Sequence, residues 1–151
     1  MWIIENDKAR LQEFVNLNEE WISTYFEHED ADRALAANPY KVIEDGGYIF
    51  SLIAEGKTMG VCALFNEGNG TYELARMAVS PDAQGNGYGN KLIEACFTKL
   101  NDLNANKVYL ATNTKLEAAV ALYKKFGFNS VFEGVHPHYS RANLVMECKT
   151  F

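Results

Sequence analysis

The fold is decided by residues 79–91, VSPDAQGNGYGNK, where three glycines fall within five positions between a predicted strand and a predicted helix. Glycine has no Cβ, so backbone N–H groups in such a turn can converge on an anion, and the start of the helix adds partial positive charge in the same direction. The stretch therefore predicts a cradle for a pyrophosphate group. The alternative is a tight connection that binds nothing, but each glycine would then lose backbone entropy without a compensating contact.

The spacing of these glycines excludes the two commonest phosphate-binding turns. A P-loop needs four residues between two glycines and then Lys-Ser or Lys-Thr, and neither requirement is met here. A dinucleotide fingerprint needs glycine at the position that Asn90 occupies. Both of these phosphate-binding motifs therefore fail on the residues themselves.

The pattern Gln84-x-x-Gly87-x-Gly89 resembles the acetyl-CoA motif of the GNAT family of N-acetyltransferases. The flanking sequence extends the resemblance over nearly the whole chain. Residues 72–79, YELARMAV, look like the family's fourth strand, and residues 111–113 with the A-x-x-x-Y-x-x-x-GF pattern at 119–128 are similar to its fifth strand and next helix. The resemblance implies an α/β (α+β) fold with a mixed, mostly antiparallel sheet of about seven strands, helices on both faces, and strands splayed at the acetyl-CoA site.

Hydrophobic periodicity along the chain predicts the same architecture. A strand near the N-terminus precedes a helix that Asn6 would cap and that carries apolar residues from Leu11 to Phe26. Glycine-bearing turns and Pro81 then separate three antiparallel strands, and Gly127 is placed to end the last helix. The further predicted elements are helices at 30–38, 87–103 and 116–126 and strands at 48–55, 58–66, 71–80, 108–112, 128–132 and 144–148.

Composition limits the classes of partner. The 151 residues are 48% hydrophobic and 23% charged, which is typical of one soluble domain spanning residues 1–151. The net charge of −6 disfavours nucleic acid, because such surfaces need clustered basic side chains. Neither a signal peptide nor an apolar run long enough to span a membrane is present in the sequence, so we expect a cytoplasmic protein without a membrane partner. The three cysteines show no disulfide framework and are interpreted as reduced thiols.

The GNAT resemblance implies that acetyl-CoA is the acetyl donor and that no metal is needed. The donor would lie between the strand that ends near Val79 and the strand that ends near Asn113. Asn113 would hold the pantetheine amides, with a turn-forming role as the alternative. Backbone groups of Met77, Ala78 and Val79 would pair with the pantetheine arm, and the peptide groups of Gln84, Gly85, Asn86, Gly87, Tyr88, Gly89 and Asn90 would bind the pyrophosphate.

Two side chains are implied as catalytic. Glu73 would accept the proton of the attacking amine, directly or through water. It could instead be a solvated strand residue paired with Arg76 or a lysine, which would leave proton removal to a chain of ordered water. Tyr123 would contact the donor and donate to the departing CoA thiolate, whereas the alternative is a core aromatic residue. Cys96 lies in the apolar stripe of its helix with no histidine nearby in sequence, which argues against a covalent acyl-enzyme.

In similar proteins the first two helices and the segment before the last strand cover the acceptor side, so the resemblance implies a set of acceptor-binding residues there. They are Tyr25, Glu27, His28, Glu29, His138 and Tyr139. The acidic residues would attract a cation, although a solvated helix end is an equal alternative. His136 and His138 lack a third ligand at metal-binding spacing and are better explained by the acceptor pocket or the surface.

The sequence as a whole predicts an N-acetyltransferase that transfers acetyl directly to a primary amine, more often of a small molecule than of a protein N-terminus or lysine. Two hypotheses from other classes stay open. One is a non-catalytic acyl-CoA-binding regulatory module. The other is a partner-binding domain whose exposed strand edge forms a homodimer and whose glycine turn is vestigial.

Overall fold

The computed structural model describes residues 1–134 and 141–151. Within them, a seven-stranded sheet has the strand order β1-β2-β3-β4-β5-β7-β6. The strands are β1 (Trp2–Glu5), β2 (Tyr48–Ala54), β3 (Lys57–Gly68), β4 (Thr71–Val79), β5 (Lys107–Thr112), β6 (Asn129–Glu133) and β7 (Leu144–Cys148). The helices are α1 (Leu11–Tyr25), α2 (Asp30–Ala37), α3 (Lys41–Glu44), α4 (Tyr88–Asp102) and α5 (Glu117–Lys125).

The predicted mixed, mostly antiparallel sheet is confirmed. The β4–β5 pair is parallel and the other neighbouring strands are antiparallel. The predicted helices and strands are present with bounds that differ by a residue or two, and the structure adds the four-residue helix α3, which is too short to show a periodic pattern. No helix within the described residues is long and apolar enough to cross a membrane.

One predicted detail is wrong: Asn6 does not cap the first helix. Its Oδ1 accepts a hydrogen bond from the backbone N–H of Ile49 at 2.8 Å, so its side chain ties the start of the chain to β2. Asp7 is the capping residue instead, because its carboxylate accepts from the backbone N–H of Ala9 in a short 3-10 helix, Lys8–Arg10, that leads into α1.

The sheet is covered on both faces because alternate residues of its strands point to opposite sides. On one face, Phe50 and Leu64 pack with Leu92, Ile93 and Cys96 of α4. On the other face, α1 and β2 to β4 contribute a second buried cluster, whose members are Phe14, Val15, Val42, Ile49, Val61, Ala63 and Ala78. These two clusters fix α4 and α1 on opposite sides of β4, where the candidate site lies.

Strands β4 and β5 separate part-way along their length, as expected for this fold. Their parallel pairing runs from Thr71 opposite Lys107 to Glu73 opposite Tyr109, whereas β4 itself continues to Val79. On its other side β4 contains a bulge. Val61 of β3 faces Ala78 and Ala63 faces Ala75, so two β4 residues lie opposite the one β3 residue between them.

Candidate active site

A cavity of about 590 Å³ opens where β4 and β5 separate. Its wall is formed by the end of β4, the end of β5, the glycine turn, the C-terminal half of α1 and the first turns of α5. Most of the residues predicted from the sequence lie in this one wall. They are Tyr25, Glu73, Met77, Ala78, Val79, Gln84, Gly85, Gly87, Tyr88, Gly89, Asn90, Asn113 and Tyr123.

The glycine turn adopts a backbone conformation that other residues rarely adopt. Gly85 has a φ of +87° and Gly87, which directly precedes α4, has a φ of +74°. A Cβ at either position would meet no protein atom within 4 Å, so the missing side chains leave open space. At position 89 close packing favours glycine, since a Cβ there would lie 3.3 Å from the Leu122 side chain of α5. The turn thus exposes backbone at the start of α4.

The N–H groups of residues 84–90 donate to no acceptor among the described residues. The first backbone hydrogen bond of α4 runs from Lys91 N–H to Gly87 C=O at 3.2 Å, so the preceding amides have no carbonyl to pair with. Unpaired amides at a helix start carry partial positive charge and are the usual donors to a bound phosphate. This part of the wall can therefore bind an anion with backbone alone.

Two asparagines of the turn make side-chain contacts of their own. Asn86 is not part of the cavity wall, and its Nδ2 donates to the Ala83 carbonyl at 2.8 Å. Asn90 does line the cavity, and its Oδ1 accepts from Lys125 Nζ at 3.0 Å. These side chains hold the turn and link it to α5, so its anion-binding capacity lies in the peptide groups.

Glu73 lies in the cavity wall and is only 7% exposed. Its carboxyl group forms no hydrogen bond or ion pair with the described residues. Burial raises its pKa to about 7, with a further contribution from the charge of Glu67 and an opposing one from Arg76. The alternative that Glu73 is a solvated strand residue paired with Arg76 does not fit this buried environment. Arg76 forms an ion pair with Asp32. Near pH 7 the Glu73 carboxyl is therefore poised to take up a proton.

Tyr123 lies on α5 and also faces the cavity. Its ring packs edge-on against Phe128 at a centroid distance of 5.9 Å. Burial raises its pKa to about 12, with a smaller contribution from Cys62. The hydroxyl consequently stays protonated at neutral pH and can donate a hydrogen bond into the cavity.

Asn113 lies at the edge of the cavity in a turn after β5. Its Nδ2 donates to the Arg141 carbonyl at 2.8 Å, and its Oδ1 accepts from the Lys115 N–H at 2.9 Å. The contact with Lys115, two residues on, is typical of a turn-forming asparagine, whereas the contact with Arg141 ties this turn to the segment before β7.

The part of the cavity wall formed by the end of α1, where the acceptor was expected, is aromatic. Trp21 packs against Tyr25 and Phe26 at centroid distances of 5.4 and 5.6 Å, and all three line the wall. The predicted residues Glu27 and His28 are exposed and lie outside the wall. Glu29 also lies outside it, where its side chain caps α2 and pairs with Arg141 Nη1 at 3.2 Å. His138 and Tyr139 fall outside the described residues.

Sequence reasoning missed Asp32, whose side chain is only 2% exposed. It forms an ion pair with Arg76 of β4, and it accepts from both terminal nitrogens of Arg141 at 2.5 and 2.7 Å. Arg76 and Arg141 both line the cavity. Since the partners lie 44 and 109 positions from Asp32, no local pattern could have revealed the cluster.

Comparison with known families decides the classification. The model of the acetyltransferase (GNAT) family matches residues 13–128, which include all the cavity-lining residues except Arg141 and Ala142. The chain belongs to the GNAT family. Members of this family use acetyl-CoA.

Individual relatives agree with this assignment. The chain is 31% identical over 83 residues to a UPF0039 protein of Schizosaccharomyces pombe, with 54% of each chain covered. It is 34% identical over 87 residues to a mycothiol acetyltransferase of Paenarthrobacter aurescens, covering 54% of this chain and 27% of that one. The matches thus span about half of the first curated relative and about a quarter of the second.

A solved structure shares the whole fold. A GNAT-family acetyltransferase of Staphylococcus aureus superposes with a TM-score of 0.87 at 19% identity, and the match covers 99% of both chains. At this identity the likeness shows the fold of the chain and does not extend to its substrate.

Proposed function

We propose that this GNAT protein transfers acetyl from acetyl-CoA directly to a primary amine, and that the amine belongs to a small molecule. The observation that carries the proposal is one cavity whose wall includes both the glycine turn and a buried carboxyl, Glu73, with a pKa of about 7. The amides of residues 84–90 in that turn have no acceptor among the described residues. The amides suit the pyrophosphate of CoA and the carboxyl suits an amine that must lose a proton.

The residues of the glycine turn fit the donor. A pyrophosphate needs several N–H donors and no side chain in the way, and Gly85 and Gly87 leave that space open. The bulge in β4 leaves backbone groups near Met77 outside the regular ladder, and these can pair with the pantetheine arm. When bound, acetyl-CoA supplies the acetyl group as a reactive thioester.

Glu73 acts as the general base in this proposal. A primary amine is mostly protonated near neutral pH, because an alkyl ammonium group has a pKa of about 10.4, and only its neutral form can attack the acetyl carbon. A carboxylate with a pKa of about 7 removes the proton more effectively than an ordinary glutamate would. Proton transfer through one intervening water is compatible with the partly open wall.

In this proposal, Tyr123 and the β4 backbone stabilise the negative charge that develops on the acetyl group and on the sulfur. The amine nitrogen first bonds to the acetyl carbon, and the carbonyl π electrons move onto the acetyl oxygen. The oxygen then re-forms the carbonyl as the carbon–sulfur bond breaks, so negative charge passes to the sulfur of the departing CoA. A β4 amide near Met77 would donate to the oxygen. The Tyr123 hydroxyl, which stays protonated, would donate to the sulfur.

The acceptor wall favours a small molecule over a protein terminus. Trp21, Tyr25 and Phe26 offer apolar and cation–π surface inside the cavity, and ion pairs join α2 to the chain before β7 beside it. Acetylation of a protein N-terminus or lysine is the second candidate. Both acceptor classes use the same donor site and the same base.

A free-thiol assay with acetyl-CoA separates these functions. The panel should contain amino acids, polyamines, aromatic amines, aminoglycosides and N-terminal peptides, with the acetylated product confirmed by mass spectrometry. The proposal expects turnover with at least one small amine and less with peptides. Turnover only with peptides would assign a protein acceptor. Acetyl-CoA binding without turnover on any acceptor would identify a binding module and overturn the proposal.

A further inference from the structure

The acceptor side of the cavity is held together by one buried carboxylate. Asp32 of α2 accepts from Arg76 of β4, from Arg141 just before β7 and from the backbone N–H of Glu29. Its side chain is 2% exposed, and that of Arg76 is 7% exposed. Three segments that are distant in sequence therefore meet at a single group.

Arg76 occupies an unusual backbone conformation. Its φ is +59°, a left-handed value that residues other than glycine adopt at an energetic cost. It lies in the β4 bulge, directly before Met77, whose backbone groups face the proposed site of the acetyl group. Strain of this kind persists only where surrounding contacts hold the residue in place. The ion pair with Asp32 is such a contact.

We propose that Asp32 is a positioning residue for acetyl transfer: it fixes Arg76 and thereby orients the β4 backbone at the bulge toward the reacting carbonyl. This inference rests on the proposed function. Asp32 acts through Arg76, and none of its described hydrogen bonds or ion pairs involves the glycine turn that would bind CoA. Its loss should therefore slow the chemical step more than it weakens donor binding.

The charge of Asp32 is constant over the working pH range. Burial alone would raise its pKa, but hydrogen bonds from Arg141, from the Glu29 N–H and from Arg76 hold that pKa well below its usual range. Removing the carboxylate charge leaves two arginines facing each other without their shared counter-charge. The consequence is a local change at the bulge, which can be measured apart from activity.

The test compares Asp32→Asn with Asp30→Asn. Asp30 lies on the same helix, but its carboxylate is exposed and pairs only with Arg33 in the described residues, so it controls for changes to α2 itself. For folded protein, we expect Asp32→Asn to lower kcat at least tenfold while the KM for acetyl-CoA stays within about threefold. Amide exchange at residues 75–78 should accelerate. Asp30→Asn should leave kcat, the KM for acetyl-CoA and the exchange rates at residues 75–78 within about twofold of wild type.

A second variant keeps the test decisive if Asp32→Asn does not fold. Arg76→Gln removes one partner and leaves the pair of Asp32 with Arg141, and we expect the same loss of kcat and the same faster exchange. When Asp32→Asn and Arg76→Gln are combined in one folded protein, the loss of kcat should not exceed that of either single variant. Both substitutions act through the same contact. Arg76→Lys should recover part of the rate.

Two results would overturn the inference. One is a folded Asp32→Asn or Arg76→Gln protein with kcat within twofold of wild type. The other is unchanged exchange at residues 75–78. If wild-type protein acetylates no acceptor, the proposed function fails, yet the exchange measurement still decides whether Asp32 holds the bulge.

Discussion

The proposed donor side and the proposed acceptor side of the cavity are built by different means. The proposed donor side presents consecutive peptide amides of residues 84–90 through local backbone geometry. On the proposed acceptor side, aromatic rings of α1 and ion pairs centred on Asp32 join segments far apart in the chain. A site made of backbone can be recognised from local spacing, whereas one made of distant side chains depends on the whole fold. If the two sides work separately, a substitution on one side should leave the function of the other unchanged.

The largest effect on kcat is expected from Glu73→Gln, which removes the proposed base. Loss of the base should reduce kcat by about 10²- to 10⁴-fold while leaving the binding of acetyl-CoA nearly unchanged. In wild type, kcat should rise with pH and bend near 7, because the active form is the deprotonated carboxylate and burial raises its pKa to about 7. The variant should lack this bend. A pH–rate profile for each protein measures both effects.

If Glu73→Gln retains most of wild-type kcat with the bend intact, the base is another group or a water chain. Glu73 would then be a buried side chain with an altered pKa and no part in proton transfer.

The next effect is on donor binding, from Gly87→Ala. Gly56 in the β2–β3 turn provides a matched control, since it also has a φ of +74° and open space at its Cβ, but it lies outside the cavity wall. Both variants should lose stability by about 1–2 kcal/mol from backbone strain. Only Gly87→Ala should raise the Kd for acetyl-CoA, by about tenfold or more. Calorimetry and thermal unfolding measure the two quantities.

Equal Kd values for the two glycine variants would show that the turn does not bind the donor. The strain is matched between them, so a difference in affinity reports the position in the cavity.

A smaller effect is expected from Tyr123→Phe. Removing the hydroxyl should lower kcat by about tenfold and leave the KM for acetyl-CoA within twofold, because the hydrogen bond forms as charge develops on sulfur. Tyr72→Phe is the control, as Tyr72 lies on β4 outside the cavity wall. Steady-state kinetics with a good acceptor compares them. Full turnover in Tyr123→Phe would return Tyr123 to the role of a core aromatic residue.

The smallest effect is a shift in the pH profile from Glu67→Gln. The Glu67 charge adds to the raised pKa of Glu73, after burial, so removing it should lower the pKa at which kcat bends. The plateau rate should not change. A bend that moves upward or a lower plateau would contradict this account of the Glu73 environment.

The geometry of the glycine turn could be predicted from sequence because its signal is local. The glycines, the preceding strand and the following helix lie within residues 71–102, and their spacing indicates both the turn and its exposed amides. Glu73 was also identified as a candidate in this region. Its burial could not be predicted, because burial depends on the packing of β4 within the folded sheet. The same limit applies to Asn6, whose partner Ile49 lies 43 positions away.

The acceptor side was harder to predict, since helix ends rich in charge read alike whether they face solvent or a pocket. Glu27, His28 and Glu29 looked equivalent along the chain, yet Glu29 is engaged with Arg141 and the other two are exposed. Asp32 showed no distinguishing pattern at all. Its ion pairs form only because the fold brings α2, β4 and the chain before β7 together.

The most direct test of the central claim is amide hydrogen exchange with and without saturating acetyl-CoA. The claim is that the N–H groups of residues 84–90, which have no acceptor among the described residues, bind the donor's pyrophosphate. These amides should exchange rapidly in the free protein and become strongly protected on binding, while the Gly56 turn stays unchanged. Saturation by acetyl-CoA without protection at 84–90 would contradict the account.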